Sequence, residues 1–165
     1  GLAALDNEPV VHINFNEAKN YCQWNKKRIP TIKEWELAAY TEFRLNNKDG
    51  YKFKKSYPYP TGENTLGLNC LNDCNFNYPS KYSKFLLRGY GHVSTFSTKK
   101  GINGLYDMGG NVWEWVDIND NSYKGTKGGS WWYGKNQMNQ GYNATKPKNM
   151  SAVYIGFRCV KDFKN

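Results

Sequence analysis

Gly104-Leu-Tyr-Asp-Met-Gly-Gly-Asn-Val-Trp-Glu-Trp115 is the stretch that decides the fold. Gly109-Gly110 marks a tight turn, and the carboxylates of Asp107 and Glu114 flank it. Val112-Trp-Glu-Trp-Val116 has the β-branched and aromatic make-up of a strand. Downstream lies Gly128-Gly-Ser-Trp131, and near the end Ile155-Gly-Phe-Arg-Cys159. Gly129-Ser-Trp-Trp-Tyr133 and Tyr154-Ile-Gly-Phe-Arg-Cys-Val160 share the strand composition. Upstream comes Tyr21-Cys-Gln-Trp-Asn-Lys-Lys-Arg-Ile-Pro-Thr-Ile-Lys-Glu-Trp-Glu36.

Val10-Val-His-Ile-Asn-Phe15 reads as a short strand. Asn14 or Asn16 can cap a helix running to about Asn25, with Ala18, Tyr21 and Cys22 on one face. Thr31-Ile-Lys-Glu34 is a capping box opening a second helix, whose inward face is Ile32, Trp35, Ala38 and Ala39. Residues 43–103 show no long period, and Tyr57-Pro-Tyr-Pro60 with many Asn and Gly predicts irregular loops. So long a stretch needs a disulfide or a bound ion to hold it inside a compact domain. Strand, two helices, irregular middle, then strands: this order predicts an α+β domain with a small antiparallel sheet.

The 165 residues suit a single domain, 1–165, large enough to bury a core. No apolar run approaches the ~18 residues that span a membrane. The formal net charge is +9, but the lysines are scattered and no nucleic-acid-binding motif accompanies them. Four cysteines are too few to build a disulfide scaffold of this size. The two histidines, His12 and His92, make no metal-binding cluster.

In order and spacing, the blocks around Tyr21–Glu36, Gly104–Trp115, Gly128–Trp131 and Ile155–Cys159 resemble the formylglycine-generating enzymes (sulfatase-modifying factors), a branch of the C-type-lectin-like fold. The resemblance runs from Pro9 to Val160. It implies paired terminal strands, two flanking helices and long loops to one side. In the aerobic enzymes two cysteines after the Gly-Gly-Ser turn bind copper and oxidise a substrate cysteine; soft thiolates suit Cu(I). Those positions fall on Tyr133 and Met138, and no cysteine lies between Cys74 and Cys159. Copper and the oxidation are therefore not expected. The resemblance also implies a Cys22–Cys159 disulfide joining the first helix to the last strand. The close pair Cys70 and Cys74 is expected to form a local disulfide. Asp107 and Glu114 with turn carbonyls would make an oxygen cage suited to Ca²⁺, and the family motif gives the ligands as Asp107, the carbonyls of Gly110 and Val112, and Glu114. A second family calcium site, near Asn69, is expected to be lost, because its downstream acidic position falls near Phe85.

Residues 131–154 are rich in Tyr, Trp, Asn, Gly and Ser, the mixture of rigid aromatics and adaptable amides found in binding loops. This composition is similar to that of a non-catalytic branch, the variable proteins of diversity-generating retroelements. The similarity implies a binding protein whose ligand, an unidentified protein or glycan, meets Trp132, Tyr133, Lys135, Asn136, Gln137, Asn139 and Tyr142. Trp131 is expected to belong to the framework. The alternatives are an enzyme of the family with altered chemistry, or a regulatory domain of a surface lipoprotein or kinase. Two disulfides would place the chain at a cell surface or outside the cell, or in the cytoplasm of a thermophile.

Overall fold

The computed structural model describes residues 6–71, 74 and 91–162. The first helix, α1, runs Phe15–Trp24. Asn14, rather than Asn16, caps it: Asn14 Oδ1 accepts from Glu17 N at 3.1 Å, and the Glu17 carboxylate accepts from Asn14 N at 2.9 Å. The second helix, α2, spans Ile32–Tyr40 and begins with the same device at Thr31 and Glu34. Both boxes satisfy donors that a helix start leaves orphaned. On α2 Trp35 and Ala39 are buried as the pattern requires, and so is Tyr40.

Among the described residues the sheet has four strands: β1 Trp113–Val116, β2 Tyr123–Lys127, β3 Ala144–Pro147 and β4 Ile155–Gly156. Their order is β3-β2-β1-β4. β1–β2 and β2–β3 are antiparallel, whereas β4 joins β1 in parallel, so the sheet is mixed. Side chains alternate across β1. Trp113 and Trp115 pack with Phe15, Ala18 and Cys22 of α1. Val116 packs with Trp35 and Ala39 of α2, and Glu114 receives the Trp35 indole N–H at 2.7 Å. The sheet is thus covered by a different helix on each face.

Several expectations need correction. Val10–Asn14 forms no strand; His12 N bonds Ala152 O at 3.0 Å within an irregular segment. Among the described residues no terminal strands pair; Arg28 and Val160 form an isolated antiparallel bridge, and Phe15 N bonds Lys148 O. The strand expected at Tyr154–Val160 shrinks to two residues. Gly129–Tyr133 is a turn, because Gly128 and Gly129 take φ of +91° and +71°, which a strand cannot continue.

Both disulfides are present, Cys22–Cys159 and Cys70–Cys74. In the irregular middle the second of these works with buried amides. Asn111 bonds both N–H and C=O of Val93, at 2.9 and 3.1 Å, and Asn69 donates to Gly91 O at 2.9 Å. Phe85, and with it the second calcium position, lies outside the described residues.

Candidate functional site

The Gly-Gly turn is shaped by backbone. Gly110 has φ +71°, and a Cβ there would sit 2.2 Å from Asn69 O. Asp107 also lies in the left-handed region, at φ +58°. Its Oδ1 accepts from Thr98 Oγ1 at 2.7 Å and its Oδ2 from Phe96 N at 2.9 Å. Burial pushes the Asp107 carboxyl up from its ordinary pKa, against the pull of these two hydrogen bonds.

Glu114 is spent differently. Arg158 straddles its carboxylate, Nε at 2.5 Å and Nη2 at 2.6 Å, and the Trp35 indole adds a third donor. This is a bidentate, charge-assisted pair. Arg158 Nη2 also reaches Tyr106 O at 3.2 Å. A calcium cage needs several oxygens facing one centre. Here a guanidinium already supplies the positive charge beside Glu114, and both oxygens of Asp107 already accept from Thr98 and Phe96. As arranged, Asp107, Gly110, Val112 and Glu114 do not fit the expected calcium ion. Their carboxylates border a cleft of about 570 Å³ walled by Val10, Tyr21, Phe96, Tyr106 and Phe157.

The candidate binding loop lies at another place in the fold. Trp131 is fully buried, as expected of a framework residue. Trp132 and Tyr133 are half-buried, so they are less exposed than display residues should be. The reason is an aromatic stack: Trp132 meets Trp131 at 4.8 Å and Tyr154 at 5.5 Å, and Tyr133 meets Tyr154 at 5.7 Å and Trp113 at 5.6 Å. Met138, at the second of the positions where thiols would be needed, is fully buried in a cluster with Leu68, Cys70 and Cys74. Lys135–Met138 is a single 3-10 turn on which Lys135 and Asn136 are exposed. Gln137 and Asn139 are half-buried, and Asn139 Oδ1 accepts from Gly141 N at 3.0 Å. Tyr142 is 37% exposed, its ring 6.0 Å from that of Trp113. A shallow groove of about 680 Å³ beside the loop is lined by Glu36, Ser56, Tyr57, Pro58, Asn139, Gln140, Gly141 and Asn143.

What holds this loop is framework reaching its main chain. Tyr40 Oη donates to Met138 O at 3.0 Å. Lys127, fully buried on β2, donates through Nζ to Tyr142 O at 2.6 Å, Gln140 O at 3.4 Å and Asn143 Oδ1 at 3.2 Å, and pairs with Glu36 at 2.8 Å. Gln140 N bonds Pro58 O at 2.9 Å, and Leu71 N bonds Tyr133 O at 3.0 Å. Sequence reasoning missed Tyr40 and Lys127. A lysine in a Gly-Thr-Lys-Gly run reads as surface until β2 is seen to bury it.

The sulfatase-modifying factor enzyme 1-like domain family matches residues 1–163. An inactive C-alpha-formylglycine-generating enzyme 2 of Bos taurus is 34% identical over 128 residues, covering 74% of this chain and 38% of that protein. A formylglycine-generating enzyme of Thermomonospora curvata is 29% identical over 94% of this chain and 56% of that enzyme. The chain therefore spans roughly two-fifths to three-fifths of the length of these relatives. Among solved structures, Treponema denticola variable protein 1 superposes with a TM-score of 0.59 at 19% identity, over 95% of this chain and 73% of that one. With its two helices, its mixed sheet and a match along nearly all its length, the chain belongs to the sulfatase-modifying factor enzyme 1-like family.

Proposed function

We infer that this chain is a non-enzymatic binding domain that presents the 131–154 loop to a ligand, in the manner of a retroelement-diversified variable protein. One observation carries the reading. The loop is fastened chiefly through its carbonyls, at Met138, Gln140 and Tyr142, by framework side chains, with Asn143 Oδ1 the one loop side chain that Lys127 also meets. Lys135, Asn136, Gln140 and Tyr142 are exposed on that fixed backbone. A rigid scaffold beneath a polar and aromatic surface lowers the ordering cost of binding. The absence of a thiol at Tyr133 and Met138 supports the non-enzymatic half of the reading, as does similarity to an inactive relative.

The experiment is a combined replacement of Lys135, Asn136, Gln137, Asn139 and Tyr142 by varied polar and aromatic residues. The variants should fold and melt within a few degrees of the parent, since surface changes are usually within about 0.5 kcal/mol each. Collapse of most of them would return the loop to a packing role. With copper and oxygen, the parent protein should leave a cysteine-bearing sulfatase peptide unmodified; formylglycine above background would restore the enzymatic alternative.

A further inference from the structure

Between Asp120 and Asp162 the sequence contains no Asp or Glu, yet lysines recur through it and Arg158 lies near its end. Most of the inward-facing charges find acids elsewhere. Lys124 pairs with Asp117 at 2.7 Å, Lys127 with Glu36 at 2.8 Å, and Arg158 with Glu114. Lys146 does not. It stands on edge strand β3, directly opposite Lys124, and its side chain makes no ion pair or hydrogen bond with any described residue. Its ammonium lies 5.5 Å from the centroid of the Trp113 ring. Trp113 in turn touches Tyr133 and Tyr142.

Lysine on an edge strand also discourages strand-to-strand aggregation. That role needs an ammonium in water. Lys146 is instead half-buried, and burial lowers its pKa. Its three N–H donors have lost part of their hydration and found only a ring face in return. A group in that condition gains most from an incoming anion.

We propose that Lys146, Trp113, Tyr133 and Tyr142 form the anchor of the ligand site, and that it takes a carboxylate of an acidic protein segment with an apolar or aromatic neighbour packed on Tyr142. This rests on the reading of the loop as a binding surface. The partner is a protein face because a single recessed ammonium among tyrosines and amides suits an isolated carboxylate. A nucleic acid asks for a track of exposed cations spaced along phosphates.

The test uses the full chain immobilised for biolayer interferometry, with a random Glu/Tyr copolymer as probe and heparin and oligo(dT) beside it. The parent should bind the copolymer, with affinity falling as salt rises. Lys146→Met should weaken binding about tenfold or more, the scale of one charge-assisted contact, and leave melting nearly unchanged. Lys146→Arg should retain most of the binding, and Lys19→Met, an exposed helix lysine far along the chain, should change nothing. Equal losses in Lys146→Met and Lys19→Met, or none in either, overturn the proposal. So does a Lys146-dependent interaction with heparin or oligo(dT) that the copolymer lacks. If the copolymer fails while the combined loop replacements still fold and yield binders to other baits, only this inference falls. If those replacements do not fold, the display reading falls whatever the copolymer does.

Discussion

Lys127 concentrates more of the loop's architecture than any other single residue. Its ammonium is fully buried, and four contacts converge on it. Lys127→Met keeps the length of the side chain but orphans two carbonyls and the Glu36 carboxylate. Chemical denaturation should show a loss of about 3 kcal/mol, the range for unsatisfied buried polar groups and broken buried pairs. Tyr142→Ala should cost little by comparison, because it removes a partly exposed ring and leaves the Tyr142 carbonyl in place. The Asp107 corner is tested by chelation. With Arg158 already on Glu114, melting curves with and without chelator should coincide; a calcium-dependent rise that Asp107→Ala abolishes would bring the metal reading back. None of this was visible in the local sequence. Arg158 and Glu114 are 44 residues apart, and only the parallel placement of β4 on β1 brings the segments carrying them together.

At the scale of elements, the helices were the most legible part. Asn14 with Glu17, and Thr31 with Glu34, are local patterns whose partners lie within one turn, so no tertiary information was needed. Glu34 also meets Arg28, at 2.6 and 2.7 Å, and Arg28 extends to Asp162. The Arg28 hydrogen bonds hold the Glu34 carboxyl down at about 2, below its ordinary 4.5. A carboxylate with a lowered folded pKa stabilises above its unfolded value, and that contribution is lost as pH falls. Stability should therefore decline between about pH 4.5 and 2, by about 1 kcal/mol for a half-exposed pair screened by water. Thr31→Ala should cost about another 1 kcal/mol. Glu34→Gln should flatten the acid limb of a stability–pH curve, and an unchanged limb would show that the pair contributes nothing there. The strands were read less well. Tyr-Lys-Gly-Thr-Lys and Ala-Thr-Lys-Pro carry little strand propensity; they are strands because β1 gives them a ladder to join. Gly125 suits the first of them for a packing reason, since a Cβ there would lie 2.7 Å from Val116 Cγ2. Conversely, Gly129-Ser-Trp-Trp-Tyr133 has the aromatic content of a strand but opens with a left-handed glycine.

For the molecule as a whole, the Cys22–Cys159 bond encloses 137 residues of sequence separation and ties α1 to the segment after β4. In the chain-entropy picture, closing so long a loop contributes about 4–5 kcal/mol, against much less for Cys70–Cys74. Replacing Cys22 and Cys159 together by alanine should lower the denaturant midpoint sharply and steepen its slope, because the unfolded chain without the bridge exposes more surface. Equal effects from the two bridges would contradict this. The α+β class was legible from the order of elements, while the fold type and the Cys22–Cys159 bridge were legible only through the resemblance to a known family. The way the two helices cover opposite faces of one mixed sheet was not, since it depends on which side of β1 each tryptophan points.

The same bond also bears on wear. A peptidase that cuts the exposed 140–143 tip would sever the main chain between two cysteines that remain joined. The nicked protein should migrate as one species without reductant and as two with it. Both strands flanking the cut, β2 and β3, keep their ladder to one another, so a clipped molecule should stay assembled and hold most of its surface in place.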